Sequence, residues 1–211
     1  MTPHVHDLLL IKSGSLSSAD GVRPVWVSSF LAPNLWVVVR RAIAPAGLVA
    51  VGLRGSNRQQ RWGGFAESSD EIERVRPSQL SSHMAGRTPM AVPALAALDW
   101  LEQQLDKCEL DWGPVGSVGF ELATGQQVTT ETSDLDLALF APARFTRDTA
   151  RDLWSLMKDA PAKVDARVET LHCGFSLEEY AREGREVLVR LPASCKLAED
   201  PWAISVGEAE G

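Results

Sequence analysis

From Gly21 to Ala66 the chain contains no aspartate and no glutamate. The same stretch holds six arginines: Arg23, Arg40, Arg41, Arg54, Arg58 and Arg61. It is therefore +6, while the whole chain is −7 and the remainder −13. The acidic average argues against bulk binding to nucleic acid or to a membrane surface. A local run of positive charge points instead to one anionic ligand. Cysteine is also scarce. Cys108, Cys173 and Cys195 are odd in number and scattered, with no Cys-x-x-Cys pair. That excludes a disulfide framework and fits a reducing cytoplasm. Long hydrophobic runs are missing too. The opening "MTPHVHDLLLIKSG" has a short apolar run and no basic start, so neither a secretory leader nor a membrane span is expected. Neither a G-x-x-x-x-G-K-[ST] loop nor a G-x-G-x-x-G turn is present, and Val115 stands where a G-x-S-x-G elbow needs glycine.

What remains is ample for a core. The 211 residues are 45% hydrophobic and 23% charged, enough for one large domain or two small ones. "VRPVWVSSF", "LWVVVRRA" and "GLVAVGLRG" read as short strands between Pro and Gly turns. "SSDEIERVRPSQL" has helical spacing and a proline stop. This gives a small, mainly-β, arginine-rich domain over residues 1–82. Residues 83–92 lack periodicity and are assigned as a linker. Residues 93–211 then alternate helix and strand. "VPALAALDWLEQQLDKC" is an amphipathic helix, and "LDWGPVGS" a strand end with a turn. "SDLDLALF" and "AKVDARVET" are strands flanking the helix "RDTARDLWSLMKD". "FSLEEYARE" opens on a Ser176/Glu179 capping-box pattern, and "EVLVRL" is the last strand. The fold class is α/β (α+β), with a mixed sheet in the second domain.

The chemistry concentrates in "SDLDL". Residues i and i+2 of a strand share a face, so Asp134 and Asp136 project together. Two carboxylates ~4 Å apart repel by about 1 kcal/mol in water and about 4 at a protein-like dielectric. No cation adjoins them in the sequence to relieve this. A hard divalent cation would, and Mg²⁺ is commonly held by one or two carboxylates plus substrate phosphates. Asp165, one helix downstream, completes a three-carboxylate site if its strand neighbours the first. Glu169 shares its face and is the weaker candidate, readable as a solvated strand residue. Upstream, Gly116 and Ser117 follow a turn. Glycine lets backbone N–H groups approach phosphate oxygens, Ser117 adds a hydroxyl, and a helix starting there adds its N-terminal dipole.

Gly-Ser, then Asp-x-Asp, then a lone Asp on a later strand resembles the polymerase-β-type nucleotidyltransferase signature. The sixteen-residue gap from Val118 to Ser133 is longer than is usual there. "HDLLL", "WVVVRRA", "VGLRGSNRQQR", "WGPVGSVGFELATG", "SDLDLAL", "VDARVETLHCGFSLEEYAR" and a late "DPW" occur in one order. Together they resemble the malonate decarboxylase holo-acyl-carrier-protein synthases, the phosphoribosyl-dephospho-CoA transferases, from His6 to Trp202. The resemblance implies transfer from 2'-(5-triphosphoribosyl)-3'-dephospho-CoA to a serine of the apo acyl carrier protein subunit of malonate decarboxylase, with release of pyrophosphate. It implies Mg²⁺, with Mn²⁺ as the alternative, at Asp134, Asp136 and Asp165. Gly116 and Ser117 would hold the triphosphate. Arg54, Arg58 and Arg61 in "RGSNRQQR" would close over the donor's distant anions, since arginine forks match phosphate.

Two other readings use the same residues. One is a nucleotidyltransferase that adenylylates a protein or small molecule from ATP. The other is a non-catalytic chaperone of a carrier protein, for which the arginines would be a docking surface. His6 and Asp7 read as structural, His172 and Cys173 as lacking partners at zinc-ligand spacing, and Trp62 as core with a chance to stack on adenine.

Overall fold

The computed structural model describes residues 2–18, 21–29, 33–55, 59–86, 92–105, 108–182, 184–205 and 207–208. The chain divides into two compact units, Met1–Arg76 and Pro77–Gly211. The division precedes the 83–92 segment. Residues 82–84 form a 3₁₀ turn in the second unit, and residues 87–91 lie outside the described set.

The first unit is an antiparallel sheet of β1 (Leu8–Lys12), β2 (Asn34–Val39), β3 (Leu48–Arg54), β4 (Arg61–Glu67) and β5 (Glu71–Val75). Its order is β4-β3-β2-β1-β5. Period-two alternation decides which face is buried: Leu35, Val37 and Val39 of β2 point inward between half-buried Trp36 and Val38. They pack with Leu9, Ile11, Val51, Leu53 and Ala66, and with Val27 of a short helix, α1 (Val25–Ser29). The expected first strand is thus a helical turn. Pro24 starts it by accepting from the Val27 N–H at 2.9 Å, its fixed φ suiting a first turn. The expected helical segment at 68–80 is instead β5 flanked by two 3₁₀ turns, Ser68–Asp70 and Pro77–Gln79. Glu71 and Arg74 stand three apart, a spacing that also suits a helix. A register shift opposite Leu10 and Ile11 puts Ile72 in a bulge, which brings the two onto one side, joined at 2.6 Å.

The second unit is a mixed sheet in the order β11-β10-β9-β8-β7-β6. The strands are β6 (Asp111–Pro114), β7 (Leu135–Phe140), β8 (Val164–Glu169), β9 (Gly174–Ser176), β10 (Val187–Arg190) and β11 (Cys195–Ala198). β11 follows what was expected to be the last strand. Its residues are at least partly exposed, Leu197 among them, so it carries little hydrophobic signal. The helices are α2 (Pro93–Gln104), α3 (Gly116–Thr124), α4 (Arg147–Lys158) and α5 (Leu177–Ala181). α4 crosses over between β7 and β8, which makes that pair parallel. Ser176 caps α5 by accepting from the Glu179 N–H at 3.4 Å, but Glu179 accepts from Leu188 N–H instead of reaching back. The capping box is therefore half formed. No described helix is long and apolar enough to cross a membrane.

The late "DPW" turn closes this unit. Asp200 accepts from the Trp202 N–H at 3.0 Å, and Trp202 donates its indole N–H to Ala141 O at 2.9 Å. Its ring meets Phe145, Phe175 and Tyr180 edge-on at 5.2–5.5 Å between centroids, geometry that aromatic quadrupoles favour. Cys173, buried beside them, donates its thiol to Pro201 O at 3.3 Å.

Candidate active site

The parallel pairing of β7 with β8 sets Asp136 directly opposite Asp165. Adjacent strands lie about 4.8 Å apart. Leu135 and Leu137 point the other way and are fully buried. Burying them in the core is what forces the two carboxylates onto the open face. Both are half-buried. Asp134 precedes β7 and is more exposed. Its Oδ2 lies 3.7 Å from Lys163 Nζ. At this exposure the pair is worth about 0.2–1 kcal/mol.

The Gly-Ser turn belongs to the same site. Gly116 has φ +61°, where only glycine is unstrained. A Cβ there would collide with Asp136 Oδ2 and lie 3.1 Å from its Cγ. The missing side chain is the space the Asp136 carboxylate occupies. The Val115 N–H donates to Asp136 O at 2.9 Å and holds the turn at the end of β7. α3 starts at Gly116, and its N-cap residue, Val115, makes no side-chain cap. The first-turn N–H groups thus present a dipole end suited to phosphate beside an acid pair.

The long insert is tied down by a residue that the sequence reading passed over. Glu121 of α3 is 2% exposed. Its Oε2 accepts from Val128 N–H at 2.9 Å, Thr129 N–H at 2.8 Å and the Thr129 hydroxyl at 2.7 Å. One carboxylate oxygen therefore pins the loop that delivers Asp134 and Asp136 to the helix that carries Gly116 and Ser117. A glutamate in the apolar stretch "GFELAT" was the available signal.

No cation adjoins the pair along the sequence, but strand pairing brings basic residues near it. Lys163 and Arg167 lie two residues to either side of Asp165. Arg167 stands opposite Ala138 on the acid face of the sheet. The solvated reading of Glu169 is also overturned. It is 7% exposed, with its carboxylate against Gly174, where a Cβ would come within 2.7 Å of Oε2.

Among the described residues, the three-residue group with ligand atoms within 4.8 Å of one another is His83, Asp99 and Glu102. Asp134, Asp136 and Asp165 are not drawn together to that degree, consistent with three like charges and a lysine beside one of them. In the other group Ser82 donates its N–H to Glu102 Oε1 at 2.9 Å, and its hydroxyl meets Glu102 Oε2 at 2.6 Å and Asp99 Oδ1 at 3.1 Å. These carboxylates fasten the 82–84 turn to α2.

In the first unit Arg54 and Arg61 are direct cross-strand partners. Arg58 lies outside the described residues. Trp62 packs against the core. Asp7 is 1% exposed and accepts from His4 N–H at 2.9 Å. Burial pushes its carboxyl pKa up, against lowering by the His4 N–H and by nearby His4, Arg74 and Arg76 charge.

The family models agree with this two-part layout. Residues 4–77 match the phosphoribosyl-dephospho-CoA transferase MdcG N-terminal domain, and residues 79–201 match the MdcG C-terminal domain. The chain belongs to that family. It is an enzyme of the transferase class. A phosphoribosyl-dephospho-CoA transferase of Pseudomonas putida strain W619 is 40% identical over 200 residues, 95% of each chain. Relatives of the same name from Pseudomonas aeruginosa and Azotobacter vinelandii are 38% and 36% identical. They cover 98% and 96% of this chain and 97% and 95% of their own. No solved structure matches.

Proposed function

We propose that the chain moves the phosphoribosyl-dephospho-CoA group from 2'-(5-triphosphoribosyl)-3'-dephospho-CoA to a serine of the apo acyl carrier subunit of malonate decarboxylase. The observation that carries the reading is the Asp136–Asp165 register set against the side-chain-free Gly116 turn. Acids and phosphate-binding N–H groups occupy one strand end, as displacement at phosphorus requires.

The donor set is of the chemical kind a hard divalent cation takes, with oxygen ligands only: two carboxylates at direct register and a third just before β7, which would have to draw closer together to share an ion. Asp136 is central to that set, with Asp134 on the triphosphate side and Asp165 on the acceptor side. Mg²⁺ or Mn²⁺ held there would neutralise phosphate charge and ease ionisation of the attacking hydroxyl. The protein's own groups do the rest. The first-turn N–H groups of α3 and the Ser117 hydroxyl hold the β- and γ-phosphates. Asp165 orients the serine and accepts its proton. The serine Oγ–Pα bond forms as the bond from Pα to the bridging oxygen breaks, and pyrophosphate leaves with that oxygen. Arg167 offsets charge on the same face. Arg54, Arg58 and Arg61 serve the donor's coenzyme end. The scattered cysteines, with no Cys-x-x-Cys pair, suit work in the reducing cytoplasm.

Pyrophosphate release in the presence of the carrier, with the triphosphoribosyl donor or with ATP, tests the reading. Release with the donor alone is expected. Equal or faster release with ATP would make the chain an adenylyltransferase.

A further inference from the structure

The outer face of the N-terminal sheet carries an arrangement that its own fold does not need. Gly52 and Gly63 are direct partners in the middle of the β3–β4 ladder. Arg54 and Arg61 are the next pair on the same face. Arginines directly opposite one another have Cβ atoms about 4.5–5.5 Å apart, and like charges so placed are unfavourable. Paired mid-strand glycines weaken a ladder further, and mark places where something approaches the backbone closely.

A third arginine fills the space that the glycines leave. A Cβ on Gly52 would meet Arg40 Cδ at 3.1 Å and Cγ at 3.3 Å. On Gly63 it would run into the Arg40 guanidinium. Arg40 therefore leaves the end of β2, crosses Gly52 and lays its guanidinium over Gly63, one pair from Arg54 and Arg61. All three arginines are exposed. The opposite face of these strands holds the core residues Val51, Leu53 and Ala66. No acid occurs between Gly21 and Ala66. The described ion pairs of this unit use Lys12 and Arg74 instead.

We infer that Arg40, Arg54 and Arg61, on the Gly52–Gly63 floor, form a binding site for a diphosphate group of the kind that joins adenosine to phosphopantetheine in dephospho-CoA. Three guanidinium forks exceed what one two-oxygen carboxylate can use. A diphosphate offers two anionic centres, each able to take a bidentate fork. The missing side chains at Gly52 and Gly63 let the Arg40 guanidinium lie on the sheet beside Arg54 and Arg61, where one group can reach all three. Arg40 is a ligand-binding residue whose place is set by two absent side chains. The inference rests on the donor reading above and adds to it a residue, a floor and a chemical class.

The test uses the full chain titrated calorimetrically with dephospho-CoA, and with 4'-phosphopantetheine as the probe that lacks the diphosphate. Arg61→Ala is expected to weaken dephospho-CoA by about tenfold. Gly63→Ala is the sharper variant. It changes no charge, and the colliding atoms are the far end of a flexible side chain, so the sheet tolerates it while Arg40 is displaced. It is expected to weaken dephospho-CoA by about threefold to tenfold and to leave phosphopantetheine unchanged. Dephospho-CoA affinity within about twofold of wild type in both variants, or equal losses for both probes, would overturn the site. So would failure of the wild type to bind dephospho-CoA. Loss of carrier-protein affinity alone in both variants would make the face a protein dock and equally overturn it. Transfer by the wild type, followed in parallel by intact mass of the carrier, separates the two claims. Transfer with unaltered donor KM in the variants removes this site and leaves the reaction standing, and no transfer by the wild type removes the reaction.

Discussion

In the C-terminal unit the charges that matter are carboxylates, set by core packing on one face of β7 and β8 and crowded against a glycine. In the N-terminal unit they are guanidinium groups, set by strand pairing on the outer face of β3 and β4 above two more glycines. Each unit holds like charges that its own fold leaves incompletely balanced, and the signs are opposite. On the proposed reading one set takes cations together with phosphate, and the other takes anions. The difference separates chemistry from address. Changes among the acids should act on kcat, and changes among the arginines on donor KM.

The largest effect that would sharpen this division is at Asp136. Asp136→Ala is expected to lower kcat by at least about 10³-fold, the size of several kcal/mol of lost charge stabilisation. Thermal unfolding should show little change in Tm, which separates lost chemistry from lost folding. Turnover within about tenfold of wild type would break the assignment. Gly116→Ala should follow. It forces a Cβ into Asp136 at φ +61°, and should cost about 1–3 kcal/mol of stability along with activity. Arg167→Ala comes next, lowering kcat by roughly tenfold to a hundredfold with little change in donor KM. Steady-state kinetics would read the opposite split if Arg167 merely helped to bind the donor. Arg54→Ala should do what Arg167→Ala does not, raising donor KM about tenfold at nearly constant kcat.

The smallest effect is on stability. Burial holds the Asp7 pKa above the ordinary 3.8, so the folded state binds this proton more tightly than the unfolded chain. Its contribution is full below 3.8 and is lost as pH rises through the raised value. Asp7→Asn keeps an acceptor for the His4 N–H and has no charge to bury. Its Tm advantage over wild type should be greatest at neutral pH and gone below 3.8. An advantage that grew on acidification would contradict the burial argument.

The Asp136–Asp165 pairing was legible because it obeys short-range rules. The helix "RDTARDLWSLMKD" between two strands makes those strands parallel neighbours. That Asp134 stands just before β7, outside the strand, was not legible. Glu121 was not legible, because its role depends on where a loop folds back eight residues later. Lys163 and Arg167 were missed by counting neighbours along the chain and not across the ladder. β5 was misread because none of its residues is buried, which leaves no alternating apolar pattern to mark a strand. Where Arg40 lies was not legible, since only the glycines on neighbouring strands determine it.

The most direct measurement of the central claim is intact mass of the apo carrier subunit of malonate decarboxylase after incubation with the chain, the triphosphoribosyl donor and Mg²⁺. Wild type should add one phosphoribosyl-dephospho-CoA group to the carrier, and Asp136→Ala should add none. An unmodified carrier with folded wild-type enzyme, or equal modification by Asp136→Ala, would contradict it.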